Sequence, residues 1–159
     1  MKNAILLLLI STSLIFSSCK KDEVVNPNYA GNYSSGSTAV ISGTTRYSIQ
    51  YNAIVSHNVA TNRASIKLFE NYKNLSASGT IGTLIDTYTY QSPEFEISDS
   101  KSTLDSPIVA INKKKENVGK VLFDGTITYT ATDMIYRGKI SGVSITIILN
   151  KIVVDTSGW

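Results

Sequence analysis

The sequence predicts an all-β domain, an antiparallel meander of about eight to ten strands closed as a barrel or stacked as a two-layer sandwich. Three observations carry this. From Cys19 to Trp159 the chain holds 16 Ile, 11 Val and 15 Thr against six Leu, eight Ala and one Met. Branching at Cβ suits a pleated strand, and the straight-chain helix formers are scarce, so a helical bundle is excluded. Apolar and polar residues then alternate with a period of two. Finally, turn signals recur at near-regular spacing between the alternating runs.

The alternation is clearest in three places. Tyr47, Ile49, Tyr51, Ala53 and Val55 share one face, with Ser48, Gln50 and Asn52 opposite. Val121, Phe123, Gly125, Ile127 and Tyr129 repeat the pattern, and so do Val143, Ile145, Ile147 and Leu149. Such a period places each set on one side of a strand. Further strands are expected at 37–41, 64–69, 75–81, 84–90, 94–97, 108–112 and 134–140. Ser42-Gly43, His57-Asn58, Ser78-Gly79, Ser92-Pro93, residues 117–119, Thr132-Asp133 and Ser141-Gly142 read as turns. Helix competes only at 64–75, where Ile66, Phe69, Tyr72 and Leu75 recur every third residue and allow a turn or two.

The first 18 residues read differently. Lys2 precedes a short apolar stretch, Ala4 to Phe16, which is shorter than the roughly 20 residues of a membrane-spanning helix. A basic start, an apolar core and small residues at its end make a cleaved signal peptide. Ser17 and Ser18 lead into Cys19, the single cysteine of the chain, so no disulfide can form within a monomer. Phe16-Ser17-Ser18-Cys19 resembles the lipobox of bacterial lipoproteins. That resemblance implies acyl chains on Cys19, which would hold the protein to a membrane, since two or more chains give stable anchoring. Cys19-Lys20-Lys21-Asp22-Glu23 resembles the start of lipoproteins from the Bacteroidetes. It implies outer-membrane attachment, with Lys21, Asp22 and Glu23 similar to a signal for export to the cell surface. The expected organisation is a signal peptide over 1–18, a lipidated N-terminus and tether over 19–29, and a single β domain over 30–159.

Gly31-Asn32-Tyr33 is similar to the Gly-x-Trp start of lipocalins, with Tyr in place of Trp. Together with the strand order and size, this resemblance implies a lipocalin-like, or calycin, barrel in preference to a sandwich.

Candidate chemistry is sparse. His57 is the only histidine and stands in a predicted exposed turn, so a zinc site lacks its three or four ligands. No serine lies in a Gly-x-Ser-x-Gly elbow. Glu94 and Glu96 share a strand face but read as a solvated pair, and the Asp99–Asp105 loop lacks the order of a calcium-binding loop. Lys113-Lys114-Lys115 is the one basic run and reads as a charged hairpin tip, not a nucleic-acid footprint. The expectation is therefore a protein without catalytic activity, cofactor or metal, and without a nucleic-acid partner.

The nine tyrosines carry the most information. Tyr47 and Tyr51 share one strand face, Tyr88 and Tyr90 another, and Tyr129 and Tyr136 occupy adjacent late strands. In a barrel these six could line a site for a small apolar or carbohydrate ligand, each offering an apolar face and one hydroxyl. Cross-strand packing is the competing role. Two functions follow as expectations: a lipid-anchored, non-catalytic binding or structural module of the cell envelope, or a lipocalin-like carrier with a ligand cavity.

Overall fold

The computed structural model describes residues 27–153. The predicted signal peptide, Cys19 and the Lys21-Asp22-Glu23 signal lie outside the described residues. Ten strands follow one another: β1 (Gly31–Ser42), β2 (Thr45–Asn58), β3 (Arg63–Leu75), β4 (Ile81–Gln91), β5 (Phe95–Glu96), β6 (Lys101–Leu104), β7 (Ile108–Ile111), β8 (Asn117–Tyr129), β9 (Asp133–Ile140) and β10 (Val143–Lys151). They form a single antiparallel sheet. Eight of them close into a ring in chain order, β1-β2-β3-β4-β7-β8-β9-β10, and β10 returns to β1. β5 and β6 are an excursion between β4 and β7, with β5 added to β3 and β6 to β8.

Local chemistry explains the connections. Ser141 and Gly142 both take positive φ, 50° and 84°, between the paired residues Ile140 and Val143. Two left-handed residues match the twist of a tight hairpin, and Gly142 adopts that φ without steric cost. The expected strand at 75–81 is instead a turn. Ser76 Oγ accepts the Thr80 N–H at 2.9 Å, and the Ser76 carbonyl accepts the Gly79 N–H at 3.0 Å. A serine hydroxyl satisfies the backbone locally and so competes with the ladder. The stretch where helix competed is strand throughout. Ala64, Ile66, Leu68 and Glu70 are buried at alternate positions of β3, so period two prevails over the three-residue spacing.

The ring has two unlike ends. The β1/β2, β3/β4, β7/β8 and β9/β10 turns gather at one, which is open. The other receives both chain ends, the β2/β3 and β8/β9 turns and the β5–β6 excursion, and it is closed. The closed half is filled by Val55, Ile66, Leu68, Tyr90, Leu104, Leu122, Ile127, Met134 and Leu149, all under 8% exposed. The void left among them is about 20 Å³, room for a water and far below the volume of a ligand pocket.

A polar network seals that end. The Tyr33 hydroxyl donates to the Tyr29 carbonyl at 2.7 Å, and the Tyr29 ring stacks on Tyr129 at 4.8 Å. His57 Nδ1 accepts the Tyr29 N–H at 3.2 Å, which assigns the ring proton to Nε2, 3.1 Å from Asn62 Oδ1. His57 is thus a half-buried structural residue, not the exposed turn histidine expected.

Candidate functional site

At the open half the interior changes character. Glu70 on β3 points inward and is 2% exposed. Its Oε1 accepts the Tyr72 hydroxyl at 2.6 Å and lies 2.9 Å from Lys120 Nζ on β8; its Oε2 accepts the Tyr90 hydroxyl at 2.8 Å. Tyr51 donates more weakly, at 3.4 Å. Lys120 Nζ also contacts the Tyr72 hydroxyl, so two of its three N–H groups have partners. The ammonium stands 5.0 Å over the Tyr72 ring and 5.3 Å over the Tyr88 ring, within cation–π range. Tyr47 and Tyr88 flank Tyr72 with ring centroids at 5.6 and 5.0 Å.

Register builds this cluster. Tyr51 pairs with Glu70 and Glu70 with Tyr88, so three neighbouring strands set their inward side chains at one level. A buried carboxylate is costly unless its lone pairs are filled, and here an ion pair and three hydroxyls fill them. Burial pushes the Tyr51, Tyr72 and Tyr90 hydroxyls far above the ordinary phenol range, and the Glu70 charge and hydrogen bonds add to the rise. Stability carried by a group with a raised folded pKa is complete below the unfolded value, about 10 for Tyr, and is lost as pH rises above it. The urea midpoint should therefore stay level from about pH 8 to 9.5 and fall by about pH 11. A level midpoint throughout would show that these hydroxyls ionise as freely in the folded chain as in the unfolded one.

A second opening adjoins the cluster. β1 meets β10 only at Tyr33/Lys151 and Ser34/Asn150, then bulges between Ser34 and Ser37 and follows β2 alone. The seam is a groove of about 500 Å³, lined by Val40, Ile49, Ile145 and Ile147 with Ser37 and Thr146. Tyr51 belongs to both places, lining the groove while its hydroxyl points to Glu70.

Four of the six expected ligand tyrosines, Tyr47, Tyr51, Tyr88 and Tyr90, converge here. Tyr129 and Tyr136 do not. Tyr129 is buried in the closed end against Tyr29, and Tyr136 lies across Gly125 and Gly138, where any Cβ would overlap its ring. Both are packing residues. Glu70, Tyr72 and Lys120 were missed by sequence reasoning. The signal was there in part: Glu70 and Tyr72 alternate on one strand just as Tyr88 and Tyr90 do on the next. Glu94 pairs with Arg63 at 3.3 Å on the exposed surface, away from Glu70. Among the described residues, no three His, Cys, Asp or Glu side chains gather to hold a metal.

No protein-family model, curated protein or solved structure matches this chain.

Proposed function

We propose that the chain is a non-catalytic binding module of the cell envelope, held to the outer membrane by acyl chains on Cys19, with the Tyr–Glu70–Lys120 mouth as its ligand site. The observation that carries the binding reading is the contrast between the two halves of the ring. One is packed with apolar side chains; the other keeps a buried carboxylate, paired with a partly exposed lysine and ringed by tyrosines. Packing alone would be served as well by apolar residues of similar volume. The array suits a ligand with a flat apolar face for the Tyr47, Tyr72 and Tyr88 rings and an oxygen to accept the remaining Lys120 N–H. A sugar ring has both.

The test is titration with methyl glucoside, decanoate and octyl glucoside, each below its micelle-forming concentration, followed by tyrosine fluorescence. Saturable binding weakened at least tenfold by Lys120→Met, about 1.4 kcal/mol, supports the reading. No saturation with any of the three sinks it.

The carrier function is the second reading, and the seam groove favours it. At about 500 Å³ it falls in the size range of ligand pockets, which the 20 Å³ void does not approach. A carrier would house an alkyl chain along Val40, Ile49, Ile145 and Ile147. Octyl glucoside binding at least tenfold tighter than methyl glucoside, and lost in Ile147→Asp, distinguishes it.

The attachment has its own test. Cys19→Ala should abolish incorporation of labelled palmitate and release the protein from the membrane fraction. Unchanged labelling would refute the lipoprotein reading.

A further inference from the structure

The open end carries a second feature, on its outer rim. Ile41, at the end of β1, is 61% exposed, and Val143, at the start of β10, is 70% exposed. Ile81, Leu84 and Ile85 of β4 are 45%, 44% and 53% exposed. β4 pairs with β7 only at Thr89/Ile111, so its first half is held by β3 alone and the β3/β4 hairpin stands beyond the ring. Leu84 pairs with Lys73 while Ile85 is the extra residue of a β-bulge, so this hairpin presents three exposed aliphatic side chains where the ladder is locally interrupted.

Charge is distributed along the same axis. Arg46, Lys113, Lys114 and Lys115 are exposed at the open end, where Asp86 and Glu116 are the described acidic side chains outside the mouth. Glu116 is tied to the Asn112 amide at 2.8 Å. At the closed end the exposed acids are Glu94, Glu96 and Asp99, against Arg63 and Lys101. The lysine run therefore tips the β7/β8 hairpin, beside the apolar β3/β4 hairpin.

We propose that this rim docks on an anionic phospholipid surface, the β3/β4 hairpin, Ile41 and Val143 entering the headgroup layer while Lys113, Lys114, Lys115 and Arg46 meet phosphates. Aliphatic side chains ringed by cations fit such a surface, because apolar burial and attraction to anionic lipid act together there. The docking itself requires neither the lipid anchor nor a ligand in the mouth.

The test uses the full chain carrying Cys19→Ser, with a single new thiol at Val143→Cys or, as a control at the closed end, Glu96→Cys. Each is labelled with a polarity-sensitive fluorophore and mixed with vesicles of phosphatidylcholine alone or with about 30% phosphatidylglycerol. The leader residues act on both labels alike, so the comparison between labels reads the rim. The Val143 label should shift to the blue with anionic vesicles and the Glu96 label should not. Half-molar salt should weaken the response by screening. Joint charge reversal of Lys113, Lys114 and Lys115 to Glu should raise the lipid concentration for half-response at least tenfold. Leu84→Asp with Ile85→Asp should remove it while the far-ultraviolet circular dichroism stays unchanged. Equal shifts of the two labels, equal response to neutral vesicles, or the same shift with soluble heparin would overturn the proposal.

Discussion

Glu70→Ala should lower the unfolding free energy by about 3 kcal/mol, from two hydroxyls left without an acceptor at about 1–3 kcal/mol each. The substitution strips the Tyr72 and Tyr90 hydroxyls of their acceptor and the partly exposed Lys120 of its counter-charge. A buried donor left unmade costs more than a formed hydrogen bond contributes, so the loss should exceed that of any one hydroxyl. Glu70→Gln keeps an acceptor and should cost less. The double variant Glu70→Leu with Lys120→Met should lose less than the sum of its two single changes, because neither charge is then stranded. Urea unfolding of the four proteins forms the cycle. Additive losses would mean that the carboxylate and the ammonium act independently, and the mouth would not be one unit.

The second large effect concerns two glycines. Gly125 on β8 and Gly138 on β9 form the bed on which the Tyr136 ring lies. A methyl group at Gly125 would overlap that ring, with Tyr136 Cζ at 2.8 Å and its hydroxyl at 2.9 Å from the new Cβ. Tyr136 is 2% exposed and cannot swing into solvent. Gly125→Ala should therefore cost about 3 kcal/mol, at the upper end of overpacking. Tyr136→Leu in the same chain should restore part of that loss by clearing the overlap. If Gly125→Ala unfolds at the parent's urea midpoint, the ring does not rest where the structure places it.

Much of the fold is legible in the sequence, for a local reason. In β2, β8 and β10 the alternation is broken only by Ile54, Leu122 and Ile148, so side-chain period still marks the strand, although a bulge in β8 turns Leu122 into the core in place of Val121. At 75–81 alternation and the Ser78-Gly79 turn signal competed, and the turn prevails because Gly79 takes positive φ and the Ser76 hydroxyl accepts the Thr80 N–H. The site was half legible. Tyr47, Tyr51, Tyr88 and Tyr90 sit in alternating runs and share faces. Lys120 lies 50 residues from Glu70, and nothing near it in the sequence marks it as different from the lysine run just before it. Its role comes from ring closure, which brings β8 opposite β3. Tyr129 and Tyr136 also sit in alternating runs, on adjacent strands. They differ from the site tyrosines in level along the strands, which depends on where each hairpin turns.

The seam has a mechanical consequence. The chain enters at Gly31 and leaves at Lys151, on adjacent antiparallel strands at the same end of the ring. A pull between the two chain ends would load the Tyr33/Lys151 and Ser34/Asn150 pairs one after the other, as a zipper is opened, with no further β1–β10 pairs behind them. Tension applied through one end alone passes through none of them.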